Sequence, residues 1–72
     1  MELRFTQHAK NRMRKLDISM RDVVDLVTEQ EPFDYDREGR PRYIGMVRGI
    51  RVRIVLAVDR PKLVVSLHER RK

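Results

Sequence analysis

Two histidines and a large excess of arginine are the side chains through which this 72-residue chain could carry out chemistry. His8 and Arg12 are four residues apart, a spacing that makes them neighbours on the surface of a helix. Arg53 and His68 lie in the C-terminal part of the chain, where apolar and polar residues alternate as in strands. An imidazole can transfer a proton and a guanidinium can stabilise a phosphorane. This set of side chains therefore suits metal-independent phosphodiester chemistry.

The composition argues against several other kinds of site. Cysteine is absent, which excludes disulfides, thiolate metal ligands and a thiol nucleophile. The two histidines are far apart in sequence and form no metal-binding motif, so we expect neither a metal nor a cofactor. The apolar runs are too short to span a membrane and the N-terminus has no signal-peptide apolar region, so we expect a cytoplasmic protein.

The net charge of +6 is distributed unevenly along the chain. Residues 1–16 carry a net charge of +4, residues 17–38 carry −6 and residues 39–72 carry +8. Thirteen of the seventeen basic residues are arginine, which binds phosphate in a bidentate manner. A fold that joins the two basic ends forms one positive face, which predicts a nucleic-acid or phosphate-bearing partner. We expect the acidic middle segment to lie outside that face.

Two helices are predicted in the N-terminal half of what the length indicates is one domain, residues 1–72. An apolar stripe at helical spacing predicts the first helix over residues 7–16, with Thr6 as its N-cap. Ser19, followed three residues later by Asp22, predicts a capping box at the start of a second helix over residues 20–30.

From residue 33 onward the apolar period changes from 3.6 to 2, which predicts strands. The segments at 43–47, 50–58 and 63–68 alternate most clearly, and a shorter extended stretch lies at 33–35. The sequence therefore predicts an α+β fold with two N-terminal helices packed on a three- to four-stranded antiparallel β-meander. The predicted core consists of Leu16, Ile18, Val23, Val27, Ile54, Leu56, Val65 and Leu67.

The register of the last two strands is predicted from two features that agree. A two-residue loop at residues 60–61 pairs Arg53 with His68 and places both on one face of the sheet. The same register pairs Val55 with Ser66, and it leaves the apolar side chains of the two strands together on the opposite face.

The preceding hairpin allows two registers. A two-residue loop at residues 48–49 would place Ile44 and Met46 on the same face as Arg53. A left-handed bulge at position 49 would instead bury both apolar side chains and place Tyr43 beside the arginines. We expect the bulge, because it buries two large apolar residues.

The predicted site combines this sheet face with one stripe of the first helix, provided that the helix lies over that face. We interpret four residues as catalytic: His8, Arg12, Arg53 and His68. Four more are interpreted as nucleic-acid-binding: Lys15, Tyr43, Arg51 and Ser66. No carboxylate pair is expected on this face, which makes it a poor fit for metal-assisted phosphoryl transfer. Each side chain also has a structural explanation, as a solvated surface residue or an ordinary packing residue.

The N-terminal half resembles a family of small bacterial domains of unknown function. The resemblance is carried by Phe-Thr-Gln-His-Ala-Lys-Asn-Arg-Met (residues 5–13) and Leu-Asp-Ile-Ser-Met-Arg-Asp-Val (residues 16–23). Members of the family begin with a His-Ala-x-x-Arg-Met helix and a Gly-Ile-Ser turn, and Asp17 stands here where that glycine is usual. The family is similar in layout to RelE/ParE-type and BrnT toxins, and the likeness covers most of the chain.

The resemblance implies a toxin of a type II toxin–antitoxin system that cleaves mRNA, free or on the ribosome, without a metal. On this basis His8 and Arg12 match the helix motif, whereas Arg53, Ser66 and His68 are placed by register alone. The implied partners are RNA and a cognate antitoxin, whose acidic segment would cover the basic face. Three alternatives stay open: a gyrase-directed toxin, a non-catalytic nucleic-acid-binding module and a protein-binding module that uses the same face.

Overall fold

The chain folds into the α+β class that the sequence predicts. The computed structural model describes residues 3–60 and 62–70, and within them the chain forms two helices and five strands. The elements in chain order are β1 (Arg4–Phe5), α1 (Gln7–Leu16), α2 (Met20–Thr28), β2 (Asp34–Tyr35), β3 (Pro41–Val47), β4 (Ile50–Leu56) and β5 (Leu63–Glu69). The second helix thus ends at Thr28, short of the predicted boundary at residue 30.

Both helices begin at the predicted side-chain caps. The Thr6 hydroxyl oxygen accepts a hydrogen bond from the backbone N–H of Ala9 at 3.2 Å. In α2 the Ser19 hydroxyl accepts from the Asp22 N–H at 3.1 Å, and the Asp22 carboxylate accepts from the Ser19 N–H at 3.0 Å. This reciprocal capping box satisfies backbone donors that the start of a helix otherwise leaves unpaired.

The five strands form one mixed sheet in the order β1-β5-β4-β3-β2. Strands β2 to β5 are antiparallel neighbours, whereas β1 pairs in parallel with β5. The predicted antiparallel meander is thus present in its four-stranded form as β2 to β5, and β1 adds a fifth, parallel edge strand that makes the sheet mixed. Parallel pairing requires a long connection, and the chain between β1 and β5 contains both helices and the other strands.

The register of β4 and β5 is confirmed at the two predicted pairs. Arg53 lies opposite His68, and Val55 lies opposite Ser66. Directly opposed residues share a face of an antiparallel sheet, so these four side chains lie on one side. We call this side the outer face, since the core lies on the other side of the sheet.

A bulge in β5 changes the pairing beyond these residues. Val64 is consequently fully buried in the core, whereas Val65, which the sequence analysis placed there, is only half-buried. The predicted two-residue loop at residues 60–61, of which Pro61 lies outside the described residues, is also wrong. The last backbone hydrogen bond before the connection runs from the Ala57 N–H to the Leu63 carbonyl at 2.9 Å. The connection between the two strands is therefore longer than two residues.

The turn between β3 and β4 is the two-residue turn, so the predicted bulge at Gly49 is wrong. Arg48 has a φ of 52° and Gly49 a φ of 84°, both in the left-handed region that tight hairpin turns require. The Arg48 guanidinium donates to the Asp17 carbonyl at 2.6 Å and lies 3.3 Å from the Asp22 carboxylate. These contacts with the helix junction stabilise Arg48 in a backbone conformation that residues other than glycine rarely adopt.

The two-residue turn also decides which side chains of β3 lie on the outer face. Ile44 lies opposite Arg53, and Met46 lies opposite Arg51 with 59% of its surface exposed. Tyr43 faces the helices and packs against the core. The prediction that Tyr43 lies beside the arginines is therefore wrong, and two apolar residues take its place.

The helices cover the side of the sheet opposite the outer face. Six of the predicted core residues are buried: Ile18, Val23, Val27, Ile54, Leu56 and Leu67. Leu16 is partly buried and packs against this core. The α2 helix lies close to β3 because Gly45 has no side chain, since a Cβ there would lie 2.6 Å from Cδ1 of Leu26.

Candidate active site

The site begins with Arg53 and His68, the directly opposed pair on β4 and β5. The N-cap of α1 is attached to β5 close to this pair. The Thr6 backbone N–H donates to the Val64 carbonyl and its hydroxyl donates to the Val65 carbonyl, both at 3.0 Å. These contacts place the first turn of α1 at the β5 bulge, beside the outer face.

The α1 helix contributes His8 and Arg12 to the same place. The ring centroids of His8 and His68 are 5.8 Å apart, with the ring planes tilted by 56°. Nη2 of Arg12 lies 3.4 Å from Nδ1 of His68. A guanidinium has only donors, so this contact favours the His68 tautomer that carries its proton on Nε2. The helix stripe thus meets the sheet face, and the four residues interpreted as catalytic lie together.

Arg12 and Arg53 are half-buried cations whose donors are not all satisfied. The Nε atoms of both are buried without a hydrogen-bond partner. Across residues 3–60 and 62–70, neither guanidinium takes part in a salt bridge. Leaving a buried donor unsatisfied costs about 1–3 kcal/mol. The two uncompensated positive charges attract an anion to this part of the outer face.

The surroundings of His68 keep its imidazole neutral. Burial lowers the pKa of His68 below its ordinary value, and the neighbouring Arg12, Arg53 and His8 lower this pKa further. A neutral imidazole offers a ring nitrogen that can accept a proton at physiological pH. The arginines that keep His68 neutral also make the site attractive to an anionic substrate.

The residues interpreted as nucleic-acid-binding lie in different places. Arg51 is exposed on the outer face, and Ser66 is half-buried there near His68. Lys15 is exposed on α1, three residues beyond Arg12. Tyr43 is not part of the site, because it lies on the helix-covered side, where burial raises its pKa.

A surface pocket of about 360 Å³ extends from His68 across the outer face to the loop between β2 and β3. It is lined by Asp36, Arg40, Arg42, Arg53, Val55, Val65, Ser66 and His68. The first three of these residues were not predicted at the site, since Asp36 was assigned with the acidic segment to another surface and Arg40 and Arg42 were assigned to a loop and its boundary. The alternation at residues 34–36 and 40–42, on either side of the turn around Gly39, was the signal that could have placed them in a hairpin.

Two carboxylates therefore lie at the outer face, contrary to the sequence-based expectation. Asp34 accepts two hydrogen bonds from Arg42, both at 2.7 Å, and these bonds lower the pKa of Asp34. Asp36 accepts from Nε of Arg40 at 2.6 Å. Burial raises the pKa of Asp36, but the hydrogen bonds from Arg40 outweigh burial and the net shift is downward. Each carboxylate is thus already paired with an arginine of its own hairpin.

Among the described residues there is no group of three histidine or acidic side chains that could hold a metal ion. In the same part of the chain, no helix has the length and apolar character needed to cross a bilayer.

Comparison of the chain with models of known families, with curated proteins and with solved structures gave no significant match. The chemistry of the site therefore has to be inferred from its own geometry. It contains one neutral imidazole, a second imidazole beside it and two arginines with unsatisfied donors, which together suit general acid–base catalysis on an anionic substrate.

Proposed function

We propose that the protein is a metal-independent endoribonuclease and acts in the cytoplasm as the toxin of a type II toxin–antitoxin system. The observation that carries the proposal is the position of His68, which contacts Arg12 and lies opposite Arg53, with a buried and unsatisfied Nε on each arginine. An RNA phosphodiester supplies a negative charge that compensates these two guanidinium groups. The adjacent ribose 2′-OH supplies a proton that a neutral imidazole can remove.

In the proposed reaction His68 acts as the general base. It removes the proton of the 2′-OH, and O2′ attacks the adjacent phosphorus. Arg12 leaves Nδ1 of His68 when it binds the phosphate, which frees this nitrogen to accept the proton. Arg12 and Arg53 stabilise the negative charge of the phosphorane.

His8 acts as the general acid in the same reaction. It donates a proton to O5′ as the P–O5′ bond breaks, so that the products are a 2′,3′-cyclic phosphate and a 5′-hydroxyl end. The ring separation of 5.8 Å from His68 allows the two imidazoles to address opposite sides of one phosphodiester. Such a transfer requires one group that accepts a proton and a second group that donates one, and two adjacent imidazoles can fill these roles.

The substrate and partner of the proposed enzyme follow from the charge of the outer face. Arg51 and Lys15 are exposed near the catalytic cluster and would bind neighbouring phosphates of an mRNA, free or on the ribosome. A cognate antitoxin would present carboxylates to the same cations. The resemblance of residues 5–23 to small bacterial domains similar in layout to RelE/ParE-type and BrnT toxins supports this assignment.

The test is induced expression of the wild type, His8→Ala and His68→Ala, followed by mapping of RNA ends. We expect growth arrest and cyclic-phosphate ends with the wild type, resistant to EDTA in the purified reaction, and loss of both in the histidine variants. Lys10→Ala is the matched control, because Lys10 is exposed on another face of α1. Folded wild-type protein that cuts no RNA, free or ribosome-bound, would refute the proposal.

A second candidate is a nucleic-acid-binding module without catalysis. It is favoured by the exposed cations Arg51 and Lys15, which could bind phosphates regardless of the histidines. RNA binding would then weaken steeply with salt, and each Arg→Ala change would lower the salt slope by about 0.7–1. Substitution of His8 or His68 would leave binding unchanged, and no RNA ends would form.

A further inference from the structure

A second cluster of cations lies at the other end of β5 from His68. Arg4, Arg60 and Lys62 line a pocket of about 340 Å³ together with Leu63. All three cations are exposed, and in the described part of the chain none of them takes part in a salt bridge. The catalytic mechanism proposed above uses none of these residues.

The pairing of β1 with β5 places Arg4 and Leu63, two of the four residues that line this pocket, on the outer face. Arg4 lies opposite Leu63, and Phe5 lies opposite Val64. Val64 is a core residue and Phe5 packs against the core. Since successive side chains of a strand point to opposite sides, Arg4 and Leu63 lie on the side of the sheet that also carries His68.

The separation of the two cation clusters exceeds the reach of a very short ligand. Leu63 and His68 are five residues apart on β5, which corresponds to about 16 Å at a rise of about 3.3 Å per residue. A phosphodiester bound at His68 cannot also contact Lys62, whereas a longer single strand along the outer face can contact both.

We propose that Arg4, Arg60 and Lys62 form a second RNA-binding subsite, which holds the single strand several nucleotides from the scissile phosphodiester. This inference rests on the proposed function of the His68 site. The side chain of Leu63 and the aliphatic parts of the cations provide an apolar surface for a base or ribose. The charged ends lie at the rim, where the phosphates of the same strand would bind.

The combination of an apolar lining and unpaired cations distinguishes this pocket from a simple basic patch. An anionic lipid headgroup could bind the three cations, but its binding would not depend on the position of this pocket on the same face as the His68 site. A single-stranded RNA carries phosphates at regular intervals, so one strand that follows the outer face can contact both clusters.

The test is equilibrium binding of 2′-O-methyl RNA, which cannot undergo 2′-OH attack, to the full chain. An octanucleotide and a dinucleotide are compared for the wild type and for the double variant Arg4→Gln/Lys62→Gln. We expect the octanucleotide to bind the wild type several-fold more tightly than the dinucleotide, and the double variant to lose most of this difference. The salt slope for the octanucleotide should fall by about 0.7 for each lost phosphate contact.

The matched control is Lys10→Gln/Arg14→Gln, which removes the same charge from exposed positions of α1. Lys10 and Arg14 lie on the flank of the helix opposite His8 and Arg12, so this variant should keep the wild-type length dependence. Equal octanucleotide affinity and salt slope in the wild type and the Arg4→Gln/Lys62→Gln variant would overturn the subsite.

The outcome separates the subsite from the catalytic proposal. A protein that cleaves no RNA but shows the expected length-dependent binding supports the subsite and refutes the ribonuclease. A protein that cleaves RNA but whose binding is unchanged in the double variant refutes the subsite alone. Loss of binding to phosphatidylserine vesicles with unchanged octanucleotide binding would make the cluster a lipid site and refute its role toward RNA.

Discussion

Arg12 and Arg53 differ from the arginines around them in how their charges are compensated. Arg40 and Arg42 lie in the same pocket region and bind carboxylates of their own hairpin. Arg12 and Arg53 are half-buried beside a neutral histidine and keep a buried donor unsatisfied. Such an arrangement lowers stability, and sites that bind ligands are where it is tolerated. We therefore place the proposed RNA-binding site at the unpaired arginines rather than across the whole basic surface.

The cost of this arrangement predicts opposite effects of Arg53→Met on stability and activity. Methionine keeps an unbranched aliphatic chain but removes the unsatisfied Nε and the repulsion from Arg12. We expect an unfolding midpoint at or above that of the wild type, measured by thermal melting. Cleavage of labelled RNA should fall about 100-fold or more, as when one donor to a transition-state oxyanion is removed. Arg42→Met, which breaks the ion pair with Asp34, should instead lower the midpoint.

The lowered pKa of His68 predicts sensitivity of the fold to mild acid. The unfolded chain protonates this residue near its ordinary pKa of about 6.5, and the folded protein does so at a lower pH. Between these two pKa values the unfolded state binds more protons, so the free energy of unfolding decreases as the pH falls below about 6.5.

Urea unfolding between about pH 7 and about pH 5 measures this contribution separately from the carboxylates. The pKa values of Asp34 and Asp36 are lowered from 3.8, so both stay ionised over that range. We expect His68→Gln to reduce the loss of stability that the wild type shows below pH 6.5. A loss of the same size in both proteins would contradict a neutral His68 in the folded state.

At the scale of elements, the junction between α1 and α2 holds a residue in a left-handed conformation. Asp17 ends α1 with a φ of 58°, a region that favours glycine at this position. We expect Asp17→Gly to stabilise the protein by about 0.5–1 kcal/mol, because relief of the Cβ contact exceeds the added entropy of the unfolded glycine. The Arg48 contact with the backbone carbonyl of residue 17 persists in this variant.

Thermal melting measures this effect, since 1 kcal/mol corresponds to a shift of about 4–8 °C in a domain of this size. Asp25→Gly is the control, because it removes the same charge from the helical interior of α2, where glycine is unfavourable. The two changes should shift the midpoint in opposite directions. An equal decrease of the midpoint in both variants would show that the Asp17 side chain stabilises the fold by more than its left-handed backbone conformation costs.

The elements that could be predicted from the sequence are those specified by contacts close in the chain. The Ser19–Asp22 capping box is local, and the alternation along β4 and β5 places Arg53 and His68 on the same face, even though the loop length from which their pairing was predicted is wrong. The remaining features depend on contacts between distant segments. Arg48 adopts a positive φ while it is bound to the helix junction, and the two-residue β1 finds its partner only through tertiary packing.

The side on which each residue of the proposed catalytic cluster lies was predictable for a similar reason, whereas the position of α1 beside the outer face was only a condition of the prediction. Each of its helical and strand residues lies on a periodic element, so its direction follows from sequence spacing. Val65 and Tyr43 were misplaced because a bulge and a turn, each of one or two residues, reverse the side to which a strand residue points.

At the scale of the whole molecule, the fold divides the acidic middle segment between two surfaces. Asp34 and Asp36 are paired at the outer face by arginines of their own hairpin. Asp25 and Glu29 line a separate pocket between α2 and β3. The expectation that residues 17–38 lie outside the basic face is therefore wrong for β2 and its loop. The α2 part of the segment lies away from the proposed catalytic cluster.

This division predicts how charge reversal affects the proposed toxin and its antitoxin. An acidic segment that silences the site has to reach the arginines that lack carboxylates, so Arg53→Glu should weaken antitoxin binding and toxicity together. The new carboxylate would pair with Arg12 and occupy the place of the phosphate. Glu29→Lys, at the C-cap of α2, should spare toxicity. Growth assays measure toxicity, and binding to the co-expressed antitoxin measures neutralisation. A complex in which the antitoxin contacts α2 alone and leaves His8 and Arg53 accessible would contradict this mode of neutralisation.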